Sequence, residues 1–162
     1  MNLIARLLPL EKIHVDLAVS SKKRLFEQFG LLFENHNSIA QSLVYESLFV
    51  RERLGTTALG HGVAMPHGRI KGLREATGAL IRLATPIPFD APDGQPVRLA
   101  FALLVPERAT EKHLQILSAL AQLFSDRERR ESMLSAPDAS ALHQLMTTWH
   151  NSDASTQRQA AA

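Results

Sequence analysis

One run of residues limits the possible folds more than any other, the apolar stretch of residues 97–105 that ends before Pro106. Only Arg98 interrupts it, and its length suits a strand better than a helix. A strand of this kind is buried on both faces, so its sheet needs a covering layer on each side. Further strands are predicted at residues 76–84, at residues 12–17, where apolar and polar residues alternate, and briefly at residues 63–65.

Helices are predicted before, between and after these strands, because apolar residues recur there at helical spacing. The predicted helices cover residues 3–8, 21–37, 38–54, 110–124, 126–134 and 137–149. Helices and strands are therefore interspersed, and two helices separate the first strand from the next. This order favours an α/β fold, a three-layer domain with a mixed β-sheet flanked by helices.

Length and composition fit one globular domain. The chain has 162 residues, of which 45% are hydrophobic and 21% are charged, so it can bury a core without cross-links. We expect the domain to span residues 1–150, and residues 151–162 to form a disordered tail because they are small and polar. The chain has no cysteine, which excludes disulfides, thiolate nucleophiles and cysteine-bound metal sites.

Charge and hydropathy argue against two classes of partner. The formal net charge is +2 and no basic run is dense, so no nucleic-acid binding is predicted. No stretch approaches the roughly 20 apolar residues that cross a bilayer. The apolar N-terminus lacks the basic region of a signal peptide. We therefore expect a cytoplasmic protein without membrane insertion.

The most unusual stretch covers residues 55–69, which contain four of the chain's eight glycines. Here His67 lies between Pro66, whose φ is fixed, and Gly68, which has no side chain to crowd the imidazole. A neutral imidazole that is held but accessible can attack phosphorus as a nucleophile. Phosphoryl transfer then needs groups that stabilise charge on the equatorial oxygens.

Candidates for this stabilisation precede His67 in the sequence. Thr56 and Thr57 offer hydroxyl donors, the glycines allow backbone N–H groups to converge on an anion, and Arg51 offers a planar guanidinium. From the residues alone, other interpretations stay open. A histidine in such a loop is more often structural, glycines are often only turn formers, and His113 lies beside an apolar helical stripe that is typical of an ordinary core or surface position.

Taken together, two segments resemble a known family. Residues 51–60 (RERLGTTALG) and 62–68 (GVAMPHG) are similar to the signature around the phosphorylated histidine of fructose–mannitol-type enzyme IIA proteins of the bacterial phosphotransferase system. The version GTTALG resembles the nitrogen-regulatory branch of that family. Residues 111–117 (EKHLQIL) resemble the segment that contributes a second active-site histidine.

The resemblance implies a role for each matching residue. It makes His67 the phosphoacceptor, His113 a neighbour that orients it or neutralises the phosphoryl group, and Arg51 a basic residue near the site. It implies no cofactor. The expected donor is a histidine-containing phosphocarrier protein, which an apolar rim around His67 would receive. The candidates for this rim are Leu59, Val63 and Met65.

His61 departs from the family pattern, because the nitrogen-regulatory branch commonly has asparagine between the glycines that correspond to Gly60 and Gly62. A protonated His61 would donate a hydrogen bond to the phosphoryl group, or it is an exposed substitution without consequence. A zinc site formed by His61, His67 and His113 is a weaker alternative. No metal is predicted.

The resemblance therefore implies a phosphotransferase with a phosphohistidine intermediate, regulatory rather than metabolic. It would accept a phosphoryl group on His67 and regulate target proteins of nitrogen or potassium metabolism according to its phosphorylation state. Two alternatives remain. One is a sugar-specific enzyme IIA that passes phosphate to the IIB domain of a transporter, and the other is a non-catalytic binding module with the same fold.

Overall fold

The apolar strand of residues 97–106 lies at the centre of a six-stranded mixed sheet, in a computed structural model that describes residues 3–108 and 110–149. The strands are β1 (Ile13–Leu17), β2 (Ala58–Gly60), β3 (Val63–Ala64), β4 (His67–Ile70), β5 (Thr77–Ile87) and β6 (Val97–Pro106). The helices are α1 (Leu3–Leu7), α2 (Lys22–Asn37), α3 (Gln41–Glu52), α4 (Glu111–Ser125), α5 (Arg127–Ser135) and α6 (Ala139–Thr147). A turn of 3₁₀ helix, Leu10–Lys12, precedes β1.

Strand β6 has partners on both of its edges. Along one edge it pairs antiparallel with β5, and β1 lies beyond β5 in parallel orientation. Along the other edge β3 and β4 follow one another, both parallel to β6, with Val63 opposite Leu99 and His67 opposite Leu103. Strand β2 pairs antiparallel with β3. This register places His67 beside the carboxyl-terminal half of β6.

Alternate residues of β6 enter two separate cores. Phe101 packs in a cluster with residues of α1, α4, α5 and α6, whereas Ala102 packs in a second cluster with residues of α2 and α3. All residues from Leu99 to Leu104 have an exposed fraction of 0%. The sheet is therefore covered on both faces, and the structure confirms the three-layer α/β fold that the apolar run predicts.

The predicted long elements are present, with differences at their ends. The clearest difference is at Ser38, the first residue of the helix that the sequence predicts over residues 38–54. Ser38 instead has a φ of 56° and ends α2 as a left-handed C-cap, with its N–H donating to the carbonyl of Glu34 at 3.2 Å. Strands β2 and β4 are not predicted, because both are short and contain glycine.

Helix α3 lies directly on β4, and a glycine makes this contact possible. A Cβ atom on Gly68 would lie 2.9 Å from the carbonyl oxygen of Ser47, closer than real side chains approach. The hydroxyl of Ser47 also donates to the carbonyl of Arg69 at 3.0 Å. Residues of α3 are thereby brought beside His67.

The predicted disordered tail at residues 151–162 lies outside the described residues. Within the described ranges, no helix combines the length and the apolar character that crossing a membrane requires.

Candidate functional site

A cavity of about 650 Å³ opens between α3, β4 and the start of α4, and His67 and His113 both line it. Two basic side chains, Arg51 and Arg69, line the same cavity. The rest of its lining is mainly apolar and includes Leu43, Val50, Leu54, Val105, Leu114 and Leu117. The fold therefore brings together the two histidines and the arginine that the sequence singles out, although they come from three different elements.

His67 is held by the backbone that precedes its strand. Its Nδ1 lies 2.9 Å from the carbonyl oxygen of Met65, which can only accept a hydrogen bond. Nδ1 therefore carries the proton of the neutral ring, and Nε2 carries the free lone pair. This is the nitrogen that is available for nucleophilic attack.

The surroundings of His67 favour its neutral form. Burial lowers the pKa of His67 below its ordinary value of 6.5 and outweighs the hydrogen bond to Met65, which raises it. The charge of Arg51 lowers this pKa further, and the charge of Glu52 raises it. The net direction of the pKa shift is downward, which favours the neutral imidazole with its nucleophilic lone pair at neutral pH.

Arg51 lies in the last turn of α3, and a backbone carbonyl fixes one end of its guanidinium. Its Nη1 donates to the carbonyl oxygen of Gly55 at 2.8 Å. This bond holds the side chain at the cavity with His67. The structure thus brings Arg51 to the same cavity as His67, and its contact with a phosphoryl group stays a prediction.

The two threonines predicted to stabilise phosphate are hydrogen-bonded elsewhere. The hydroxyl of Thr57 donates to Glu52 Oε2 at 2.6 Å, and its backbone N–H donates to the same oxygen at 3.0 Å. The hydroxyl of Thr56 donates to the carbonyl of Phe89 at 2.8 Å. Neither residue lines the cavity. Their hydroxyls hold the loop between α3 and β2, in place of the predicted contact with phosphate.

A buried carboxylate is the centre of this loop's polar contacts. Glu52 is only 8% exposed, and its Oε1 lies 2.9 Å from Lys22 Nζ. Lys22 also lies above the ring of Phe89, 4.5 Å from its centroid. Together with Thr57, these contacts join α2, α3 and the following loop into one network, which we call the Glu52 network (Lys22, Glu52, Thr57).

His61 forms part of a tight turn and is separated from the cavity along the sheet. It and Gly62 have φ values of 56° and 79°, positive at both central positions of the β2–β3 hairpin, as type I′ turns require. Its backbone N–H donates to Asp93 Oδ2 at 2.8 Å.

The register on β6 gives the separation between this hairpin and His67. Val63 pairs with Leu99, whereas His67 pairs with Leu103, four residues further along β6. At a rise of roughly 3.3 Å per residue this is about 13 Å. The predicted contact of His61 with the phosphoryl group is therefore wrong, because the hairpin that carries His61 lies too far from His67. In residues 3–108 and 110–149, no group of three histidine or acidic side chains could hold a metal ion.

The predicted apolar rim is only partly at the surface. Leu59 is 40% exposed but does not line the cavity. Val63 and Met65 are 2% and 6% exposed and belong to the core that α1 and α4 cover. They follow the alternation of a strand, in which every second side chain faces the interior. Val63 and Met65 therefore cannot receive a partner protein.

Apolar side chains from α3, from the turn that follows it and from α4 surround the opening of the cavity instead. We call Leu43, Val50, Leu54 and Leu114 the apolar rim; their exposed fractions are 43%, 53%, 82% and 64%. A signal for them was present in the sequence. Helix α3 contains further apolar residues besides the buried Val44 and Leu48, and two of them, Leu43 and Val50, are exposed to solvent.

Arg69 is a cavity residue that the sequence analysis did not single out. It follows His67 by two positions on β4, and residues with this spacing share one face of a strand. Its Nη1 lies 3.5 Å from the carbonyl oxygen of Glu107, a long contact. The spacing would have indicated Arg69 if β4 had been predicted as a strand.

Comparisons with known proteins identify the family to which this domain belongs. A family model for the phosphoenolpyruvate-dependent sugar phosphotransferase system, EIIA 2, matches residues 6–149. A nitrogen regulatory protein of Pseudomonas aeruginosa is 40% identical over 138 residues, which cover 85% of this chain and 90% of that relative.

Solved structures show the same relationship. Nitrogen regulatory protein IIA-Ntr from Neisseria meningitidis matches with a TM-score of 0.86 at 52% identity, over 90% of this chain and 99% of that chain. IIA mannitol from Escherichia coli has the same fold, with a TM-score of 0.72 at 18% identity, over 85% of this chain and 97% of that chain.

Proposed function

The chain belongs to the EIIA 2 family of the phosphoenolpyruvate-dependent sugar phosphotransferase system, whose members are phosphotransfer proteins, and we propose that it is a regulatory phosphocarrier that accepts a phosphoryl group on His67. One observation carries the proposal above all. The Nδ1–H of His67 is bound to the Met65 carbonyl, which leaves a lone pair on Nε2 in a ring that lines the cavity.

The proposed reaction is a transfer between two histidines. The lone pair on His67 Nε2 attacks the phosphorus of a phosphohistidine on the donor, and a new N–P bond forms as the bond to the donor's nitrogen breaks. The donor's imidazole leaves with the electron pair of the broken bond. The proton on Nδ1 of His67 stays on that nitrogen, hydrogen-bonded to the Met65 carbonyl throughout, so the acceptor ring neither gains nor loses a proton.

Basic groups at the cavity suit the charge of the transferred group. Most of the catalysis of phosphoryl transfer comes from positioning and from electrostatic stabilisation of the phosphoryl oxygens. Arg51 is already fixed at one end by Gly55, so the other end of its guanidinium remains for a phosphoryl oxygen. Arg69 supplies a second positive charge at the cavity.

The apolar rim is the proposed docking surface for the donor. Four large apolar side chains are at least 43% exposed around one cavity, which is unusual on a surface that meets only water. A histidine-containing phosphocarrier protein with an apolar surface around its own histidine would cover them. The donor and the regulated targets would both be met in the cytoplasm.

The comparisons favour the regulatory branch over a sugar-specific one. Identity is 40% and 52% with the two nitrogen regulatory proteins, against 31% with a fructose-specific EIIA component of Haloferax volcanii and 18% with IIA mannitol. We propose, on this basis, that the targets are proteins of nitrogen or potassium metabolism and that they respond to the phosphorylation state of His67.

The test is phosphorylation in a reconstituted system. The purified protein is incubated with phosphoenolpyruvate, the enzyme that charges the carrier, and the carrier itself, and its intact mass is measured. We expect one acid-labile phosphoryl group on the wild type, none on His67→Gln, and one on the matched control His61→Gln. If a carrier shown to be charged phosphorylates none of them, the chain is a binding module with this fold, and the proposal is wrong.

A further inference from the structure

His113 occupies a position where helices usually carry a different residue. It is the third residue of α4, and Thr110 is the N-cap of that helix. The backbone N–H of Thr110 donates to His113 Nδ1 at 2.9 Å. At this position a glutamate or glutamine side chain commonly accepts the same hydrogen bond in a capping box. Here an imidazole nitrogen is the acceptor, and the imidazole also lines the cavity that contains His67.

This hydrogen bond determines where the ring proton lies. A backbone N–H can only donate, so Nδ1 of His113 must present its lone pair, and the neutral ring then carries its proton on Nε2. The hydroxyl of Thr110, 3.4 Å from the same Nδ1, can donate or accept and so imposes no opposite requirement.

The two histidines of the cavity are therefore held in opposite ways. A carbonyl oxygen binds Nδ1 of His67 and leaves a lone pair on Nε2, whereas an amide N–H binds Nδ1 of His113 and leaves a proton on Nε2. A nucleophile needs a lone pair, and the oxygens of an arriving phosphoryl group need hydrogen-bond donors. The two ring states complement each other in these roles.

From this geometry we propose that the Thr110 amide holds His113 in the form protonated on Nε2, so that His113 donates a hydrogen bond to the phosphoryl group on His67. Thr110 is thus a positioning residue, because it acts through His113. The assignment of the ring form rests on the hydrogen bond alone, while its use in transfer rests on the proposed function.

The first test measures the ring form directly. Histidine labelled with ¹⁵N is incorporated into the protein, the His113 signals are assigned with His113→Gln, and the ring shifts give the fraction protonated on Nε2. We expect this fraction to be higher than for the same residue in the urea-unfolded chain. An equal fraction, or a majority protonated on Nδ1, would overturn the assignment, whether or not the protein accepts phosphate.

The second test changes the donor. Thr110→Pro removes the backbone N–H, whereas the matched control Thr110→Ala removes the hydroxyl and keeps the N–H. We expect Thr110→Pro to move the His113 ring toward the unfolded-chain fraction and to slow phosphorylation of His67, by less than the roughly tenfold loss expected when a hydrogen bond to a charged group is removed altogether. Thr110→Ala should have a smaller effect than Thr110→Pro on both the ring form and the rate.

Two substitutions of His113 distinguish a role in phosphorylation from an effect on folding. His113→Gln keeps an oxygen for the cap and an N–H for the phosphoryl group, so it should be phosphorylated faster than His113→Ala. Circular dichroism verifies that each variant is folded, and if Thr110→Pro is not, the comparison of His113→Gln with His113→Ala is decisive. Equal rates in that pair, or an unchanged rate in a folded Thr110→Pro, would contradict the positioning role.

Discussion

Two halves of the stretch from Glu52 to Ile70 carry polar residues that look alike in sequence, and the structure uses these polar residues differently. In the first half, Glu52, Thr57 and His61 are hydrogen-bonded to other parts of the protein and do not line the cavity. In the second half, His67 and Arg69 line it. Polar residues that are close to a reactive histidine in sequence can therefore stabilise the preceding loop and hairpin by hydrogen bonds, without lining the site.

The largest expected loss of stability is caused by a substitution in the first half, at Glu52. Glu52→Ala removes the acceptor of two Thr57 donors and the partner of Lys22, and it leaves these groups partly buried. Breaking a buried pair in this way costs about 3–5 kcal/mol in the free energy of unfolding. Since the Lys22 side chain keeps 18% exposure, we expect a value near the low end.

Urea unfolding measures this effect, with Glu46→Ala, an exposed glutamate on the same helix, as the control that should stay within about 0.5 kcal/mol. The folded fraction of Glu52→Ala should still accept phosphate. Equal stability of the two variants would show that the Glu52 network does not stabilise the fold.

Gly68→Ala should give the next largest effect and should affect both stability and reactivity. Its Cβ would lie 2.9 Å from the backbone oxygen of Ser47, so α3 or β4 must move. Overpacking of this kind costs about 1–3 kcal/mol. We expect lower stability in urea and slower phosphorylation of His67. In Gly68→Ala/Ser47→Ala the loss should persist, because the backbone contact remains; full recovery would locate the strain in the Ser47 hydroxyl.

Arg51→Met should change reactivity with little change in stability. Loss of a charged hydrogen bond to the phosphoryl group is expected to slow phosphorylation by roughly tenfold, which corresponds to about 1.4 kcal/mol. Because the charge of Arg51 lowers the pKa of His67, this pKa should rise in the variant, and an NMR titration of the ring should show it. Arg53→Met is the matched control, and a shift of similar size there would refute the specific role of Arg51.

The smallest effect is expected at His61. Asparagine adopts positive φ more readily than most residues, and the backbone N–H that binds Asp93 is kept in His61→Asn. Stability should therefore stay within about 0.5 kcal/mol of the wild type, and the phosphorylation rate should be unchanged. A clearly slower rate would mean that the hairpin reaches the cavity and that the two halves are not separate.

The fold was predictable where single elements carry their own signal. The unbroken apolar run predicts β6, and helical spacing predicts α2 and α4, since each depends on local pattern. Strands β2 and β4 have three and four residues and exist through pairing with other strands, which no local pattern shows. The strand that presents His67 was missed for this reason.

The site was predictable in part, and the errors have one physical origin. Thr57, His61 and Met65 are close to His67 in sequence, but their side chains do not line the cavity with it. The Glu52 carboxylate, a type I′ turn and strand alternation direct these three residues elsewhere. Leu54 and Leu114 line one cavity only because the sheet brings the end of α3 near the start of α4. No local sequence pattern shows that approach.

The parallel pairing of β4 with β6 also determines when the site can form as the chain is made. Leu103 follows His67 by 36 residues, and His113 follows ten residues later. Contacts of such separation require closure of a long loop and form slowly compared with local helices. On the ribosome, the nucleophile is therefore synthesised well before its partner strand. A nascent chain that ends before β6 would display the complete motif around His67 without a pocket to make it reactive.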